Sequence, residues 1–526
     1  MKKNLLIVLL MLVTVGAKPL FAQSQKATNP IMFADVPDLS MVRVGDTYYM
    51  SSTTMHMTPG VPIMKSKDLS NWELINYAYQ TLDNSDEMSL NNGKNVYGKG
   101  TWASCIRFHK GLYYVTTFAQ NTNKTHIYTT TSLEKGPWKA STINGAYHDH
   151  TIHFEDDGKV YMIWGAGKLN IQELKPDLSD VIEGTRRVLI ENASAPAGNA
   201  IMLGSEGSQL YKYNGKYYLF NICWPRNGMR TVVCHRADQI TGPYEGKVVF
   251  QDMGVAQGSI VDTPDGRWFA YLFRDFGSVG RIPYLVPMTW VDGWPSIGVN
   301  GKVPETLDLP AIKGTMPSIV KSDEFTRKKG EPALPLVWQW NHNPVNTLWS
   351  VTERAGFLRL KTDRLDQTVL QARNTLTQRT FGPYSSGVTC LDVSKMKDGD
   401  VAGLVLFQAK YAQLAVEMKD GAKSIVMYNV ERTRQPATEA QRVPLKKKKV
   451  YFKAECNFMD KKDVSRMFYS LDGKTWKKIG TDLKMEYSMP HFVGYRFGLY
   501  NYSTKTAGGY VDFDFLRISD KISTWN

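Results

Sequence analysis

The sequence predicts an all-β protein of two units, a five-bladed β-propeller followed by a jelly-roll β-sandwich. Three observations predict it. A tight turn flanked by β-forming residues recurs five times before residue 270. No helix-period apolar stretch is visible, although 526 residues are enough for two to four domains. Beyond a proline-marked stretch near residues 300–320, short strands alternate with turns such as Asp398-Gly399, Asp420-Gly421 and Asp472-Gly473.

The chain opens on Met1-Lys2-Lys3-Asn4, an apolar run from Leu5 to Ala17, and a small residue, Ala22, before Gln23. A basic start, a short apolar centre and a small exit residue predict a secretory signal peptide over residues 1–22. The run is shorter than the roughly 20 apolar residues a membrane span needs. No cysteine lies near the cut, so no lipid anchor is expected. The mature protein is expected to be exported, periplasmic or extracellular, with no membrane span.

The propeller is expected over residues 29–305. Its five hairpins centre on Gly45, Gly111, Gly158, Gly215 and Gly266, each between segments rich in Tyr, Phe, Val and Ile. Recurrence of several strands at periods near 40–50 residues is the mark of a propeller. Residues near 300–320, with Pro304, Pro310 and Pro317, read as a linker. The sandwich is expected over residues 320–520, about the size of a jelly roll. The five cysteines are scattered, with no metal-binding spacing, and read as buried free thiols; Cys223 and Cys234 are placed on neighbouring strands.

The chemistry lies in what precedes each turn. Asp38 and Ser104 stand seven residues before their glycines, and Asp149, Glu206 and Gln257 stand nine before theirs. Innermost propeller strands start beside the central channel, so equivalent positions converge on one mouth. Three of the five are carboxylates: Asp38, Asp149 and Glu206. Like charges in one cavity raise one another's pKa, so that one stays protonated near neutrality. Glycoside hydrolysis needs such a set, an acid at the leaving oxygen and an ionised base.

At these residues the sequence resembles glycoside hydrolase family 43, inverting enzymes on a five-bladed propeller, mostly β-xylosidases, α-L-arabinofuranosidases and arabinanases. The resemblance is carried by Pro37-Asp38-Leu39-Ser40 with the Val44-Gly45-Asp46-Thr47-Tyr48-Tyr49 turn, by Asp149 before Phe154-Glu155-Asp156-Asp157-Gly158, and by Glu206-Gly207 before Tyr211-Lys212. It implies Asp38 as general base, Asp149 as the residue that tunes and orients the acid, and Glu206 as general acid. It also implies that Trp102, in Trp102-Ala103-Ser104, lines the sugar pocket and that Arg281 braces the acid or the substrate. Leu39 and His150 stand where the family usually has Pro. Gln257 stands where many members have a His that holds water or a cation in the channel. Gln can hydrogen-bond a water but is a poor metal ligand, so Gln257 is read as a substrate-side residue and no cofactor is expected for catalysis.

The second unit resembles the concanavalin A-like jelly roll often appended to such propellers. That likeness implies a structural calcium held by Asp323 and Asp514, with Asp512 the lesser candidate.

The expected activity is therefore exo-acting, inverting release of terminal pentoses, arabinofuranose or xylose, from plant cell-wall polysaccharide or oligosaccharide. The insert from Leu82 to Lys99 is expected to wall the pocket and favour exo action. The alternative is a non-catalytic carbohydrate-binding propeller. Nucleic-acid binding rests only on the formal charge of +14. That charge is uneven: residues 321–526 hold 34 Lys and Arg against 22 Asp and Glu, while residues 1–320 hold 30 against 28. The basic excess, including Lys446 to Lys449, thus belongs to the appended sandwich and reads as solvated surface, or else as attraction to acidic polysaccharide or the cell envelope. No nucleic-acid partner is expected.

Overall fold

The computed structural model describes residues 26–432, 435–489 and 491–524. The expected signal peptide, residues 1–22, lies outside them. Among the described residues there is no α-helix, and no helix is long and apolar enough to cross a membrane.

Five four-stranded antiparallel sheets, each from one contiguous segment, form the blades. Their first strands are Ser40–Val44, Thr101–His109, Thr151–Phe154, Ile201–Tyr213 and Ala256–Asp262. Each runs through its turn glycine into a second strand, and the five glycines have φ between +62° and +91°. That left-handed conformation is open to Gly at little cost, which is why the turn chemistry repeats.

The first strands form an inner ring joined at every blade interface. Ile106 N donates to Ser40 Oγ at 3.1 Å, Arg107 Nε to the Ile152 carbonyl at 3.1 Å, and Leu210 N to Thr151 Oγ1 at 3.5 Å. Ile260 N donates to the Tyr211 hydroxyl at 3.1 Å, and Met41 N to Ser259 Oγ at 3.0 Å, which closes the circle from blade 5 to blade 1. Side-chain hydroxyls thus satisfy main-chain N–H groups that no neighbouring strand reaches.

The stretch read as a linker is not free. Thr306–Pro310 pairs antiparallel with Lys26–Thr28, burying Leu307. Ser70 Oγ and Asn71 Nδ2 of blade 1 then bond the carbonyls of Pro310 and Ala311 at 2.7 and 3.1 Å. The connection is strapped along blade 1, which fixes where the second unit starts.

The second unit is a two-sheet sandwich of eight and seven strands. The eighth strand of the larger sheet is Met57–Thr58 of the propeller, paired with Gln339–Asn341 of the sandwich. Apolar packing is also continuous: Phe273 and Val279 of blade 5 share one core cluster with Phe381, Tyr495 and Phe497. At the centre of the interface lies buried Asp35. Its Oδ1 accepts from Arg281 N at 2.7 Å, its Oδ2 from Gly494 N at 2.9 Å, and its carbonyl from Arg379 Nε at 3.0 Å. The insert from Leu82 to Lys99, expected to wall a pocket, is anchored to the sandwich. Val96 N donates to His342 Nε2 at 3.0 Å, the Tyr97 hydroxyl to the Leu370 carbonyl at 2.8 Å, and Asn343 N to the Met88 carbonyl at 2.8 Å. All five cysteines are free and buried, and Cys223 and Cys234 sit on adjacent strands of blade 4 without a bond between them.

Candidate active site

Asp38, Asp149 and Glu206 enter one mouth of the propeller from blades 1, 3 and 4. Asp38 and Asp149, with Ser104 and Gln257, line a cavity of about 10 Å³ at the head of the channel, room for about one water. The chain is bent there: Asp38, Asp149 and Gln257 have φ of +50°, +48° and +55°, and Gly207, after Glu206, has +67°. A non-Gly residue in that region is strained, and such strain gathers at functional sites.

The bend has a consequence that strand periodicity hides. Successive strand residues point to opposite faces. At Asp149 the left-handed turn breaks that alternation, and His148 and Asp149 both face the mouth. His148 Nε2 donates to Glu206 Oε2 at 3.0 Å and lies 3.8 Å from Asp149 Oδ2. Asp149 Oδ2 accepts from Gly207 N at 3.0 Å, and its carbonyl accepts from Ser208 N at 3.3 Å. Asp149 therefore holds the main chain on which Glu206 is mounted. His150, the next residue, points away. Its Nδ1 donates to the Tyr147 carbonyl at 3.1 Å and its Nε2 accepts from Thr116 Oγ1 at 2.7 Å, a buried structural role.

The electrostatics divide the mouth in two. Burial raises the Asp38 carboxyl above the ordinary range, and Arg281 pulls it back. Arg281 Nη1 donates to Asp38 Oδ1 at 2.7 Å, and both side chains are buried. Arg281 thus braces Asp38 rather than Glu206; its Nε and Nη2 are buried donors without a protein partner. On the other side, burial pushes Asp149 up to about 7, against the pull of His148 and with the push of Glu206 and Asp38. Burial opposes charge on His148, but Asp149 first and the bond to Glu206 next push its imidazole up to about 9.

The sandwich reaches into this mouth. Phe492, itself at φ +52°, lies against the Arg281 guanidinium at 4.2 Å and against Trp102 at 5.1 Å between ring centroids. Trp102 stacks in turn on Phe118, whose edge meets His148 at 5.3 Å. Trp102 is accordingly in the wall, with its buried indole N–H unpartnered. The Gln257 side chain packs against the Gly207 backbone so closely that a Cβ there would sit 2.7 Å from it. Phe492 and His148 carry no sequence signal of their kind. One comes from a loop of the other unit, and the other would be placed on the opposite face by simple alternation.

Among the described residues, His148, Asp149 and Glu206 are the one group of three or more His, Cys, Asp or Glu side chains whose donor atoms all lie within 4.8 Å of one another. Those atoms engage one another, as given above. Of the residues expected at a calcium site, Asp323 pairs in the main chain with Leu516, on the last strand, which also carries Asp514. Asp323 is taken by a cation of the chain itself: Arg327 Nη1 reaches Oδ1 at 2.8 Å and Nη2 reaches Oδ2 at 2.6 Å, and Trp338 Nε1 adds 2.9 Å to Oδ2. Asp512 is held likewise by Arg354 and Arg359. Arginine thus supplies a positive charge at Asp323 and at Asp512.

Residues 27–295 match the family profile described as glycosyl hydrolases family 43. The chain belongs to that family. Residues 322–519 match the family 43 β-xylosidase C-terminal concanavalin A-like domain. A β-xylosidase of Formosa agariphila is 29% identical over 93% of this chain and 89% of its own length. A non-reducing-end α-L-arabinofuranosidase of Bacteroides ovatus is 29% identical over 77% of this chain and 78% of its own. Among solved structures, a bifunctional GH43-CE protein of Bacteroides eggerthii superimposes with a TM-score of 0.93 at 64% identity, covering 95% of this chain. The family 43 chain described here spans 64% of that bifunctional protein's length.

Proposed function

We propose that this family 43 protein is an exo-acting, inverting glycoside hydrolase that releases terminal pentoses, α-L-arabinofuranose or β-D-xylose, from plant cell-wall oligosaccharide or polysaccharide. The observation that carries the reading is the division of the mouth: a carboxylate paired with arginine on one side, a carboxylate pair bound by histidine on the other.

Glu206 protonates the glycosidic oxygen. Asp38, held by Arg281, removes a proton from a water on the opposite face of the sugar. Asp149 fixes the Glu206 main chain through Gly207 N. Trp102, Phe492 and the free donors of Arg281 bound the sugar site. Closure of the mouth by a sandwich loop favours a chain end over a chain interior. The β-xylosidase and arabinofuranosidase relatives support the pentose. No cofactor takes part in this scheme. Export by the residues 1–22 leader belongs to the same reading, and N-terminal sequencing of the secreted protein checks it.

The test is hydrolysis of an aryl α-L-arabinofuranoside and an aryl β-D-xyloside by the wild type and by Glu206→Gln, with the first-formed anomer read by NMR. Wild-type turnover with inversion, lost in the variant, is expected. Equal behaviour of the two proteins, as for a sugar-binding propeller, overturns the reading.

A further inference from the structure

Asp149 already anchors the main chain of Glu206, but nothing in the proposed scheme orients the carboxyl group itself. A carboxylic acid offers two oxygens, and only the one facing the leaving group can deliver a proton. Among the described residues, the Glu206 carboxyl makes one side-chain hydrogen bond, to His148 Nε2 at 3.0 Å on Oε2.

We propose that His148 is a positioning residue for the catalytic acid: its Nε2–H occupies Glu206 Oε2, so that Oε1 carries the proton to the leaving oxygen. This rests on the reading of Glu206 as the acid. The proton leaves Oε1 for the glycosidic oxygen as that oxygen's bond to the anomeric carbon breaks. The carboxylate left behind is stabilised by the hydrogen bond already in place on Oε2. A preformed donor aimed where charge develops needs no reorganisation during the reaction.

The surroundings suit a charged imidazole. Asp149 and Glu206 face it directly, and Asp38 acts on it from blade 1. Phe118 closes one side with its ring edge, and His150, on the same segment, is kept neutral by burial, its pKa pushed down to about 4. An imidazolium held beside Asp149 is a better donor than a neutral imidazole, because a charge-assisted hydrogen bond is roughly twice as strong. Against burial, Asp149 first and the bond to Glu206 next push its pKa up to about 9.

The test uses the full chain with His148→Phe, which removes the donor, and His148→Gln, which keeps an N–H without the charge. Each is assayed on pentosides whose leaving groups range from 2,4-dinitrophenol, which needs no proton, to an alkyl alcohol, which does. His148→Phe is expected to lower kcat on the alkyl pentoside at least about tenfold more than on the dinitrophenyl one, a part of the roughly 10²–10⁴-fold that general-acid catalysis supplies. His148→Gln is expected to recover part of that gap and to lose any fall in rate near pH 9. A loss uniform across leaving groups, a change in KM alone, or no change overturns the proposal. Should His148→Phe fail to fold by thermal melting, the pH profile of His148→Gln decides. Glu206→Gln, run on the same series, separates the two readings: if its loss does not depend on the leaving group, Glu206 is not the acid, whatever the His148 variants do.

Discussion

Arg281 and Asp38 form a buried ion pair at 2.7 Å, with side chains 4% and 5% exposed. Their surroundings tie that pair to the second unit. Arg281 N bonds Asp35, whose other oxygen accepts from Gly494, and Phe492 covers the guanidinium. Asp38 is thus held by a propeller arginine that the sandwich keeps in place.

Arg281→Met should strand Asp38 without its counter-charge. Breaking a buried pair from one side costs about 3–5 kcal/mol. Burial already raises the Asp38 pKa and Arg281 is the largest influence lowering it, so the variant carboxyl rises further. A base must be ionised to act, so the acid limb of kcat/KM should move to higher pH, with activity lost first at low pH. An acid limb that stays in place would show that Asp38 does not set it.

Phe492→Ala should reveal the sandwich as part of the site. The side chain touches Arg281 and Trp102, so its loss opens the mouth to water and loosens the sugar wall. We expect kcat/KM on an aryl pentoside to fall roughly tenfold, about 1.4 kcal/mol, with Tm little changed because the ring lies at the interface surface of the mouth. A variant of wild-type efficiency would leave the sandwich a purely structural role. The same interface predicts that a chain ending before residue 322 does not fold to an active propeller, which expression and a sugar-release assay would check.

The propeller was legible because its signals are local. A glycine turn between Tyr- and Val-rich segments needs only neighbours in sequence; Asp38 and Asp149 just precede an inner strand and Glu206 lies within one, seven or nine residues before that turn. Phe492 was not legible, because a loop after Tyr487 reaches blade 5 only once the two units have docked on Asp35. His148 was hidden by the left-handed turn at Asp149, which no alternation rule anticipates. The Asp38 partner of Arg281 is not legible either, since a sequence gives a charge but not its partner. At Asp323 the likeness implies a calcium ligand, and Arg327 four residues on places a cation of the chain there.

That last substitution of cation for cation makes a further prediction. EDTA, or added calcium, should leave Tm of the protein within about 1 °C, because Arg327 already neutralises Asp323. Arg327→Ala should lower Tm, and calcium should then recover part of the loss if an acidic site is exposed. A large rise of the wild-type Tm on calcium addition would count against the arginine account.

Stability should fall on the acid side well before the carboxylates are titrated. Burial lowers the pKa of His56, His342 and His491, which lie together at the propeller–sandwich interface, His491 to about 3. His56 meets His342 at 5.1 Å and His491 at 5.3 Å between ring centroids, and neither of its nitrogens has a hydrogen-bond partner. Burial likewise lowers His126, His153 and His235 to about 4. Each binds its proton less readily folded than unfolded, where the pKa is near 6.5. The unfolded state therefore binds more protons below that pH, and stability drops as pH falls from about 6.5 towards 4. Above about 6.5 these groups contribute no slope. Chemical denaturation between pH 7.5 and 4.5 should show the decline, and His56→Phe should flatten it by removing one interfacial imidazole. A stability that stays level over that range would mean that the histidines ionise in place, with the interface opening to admit their charge.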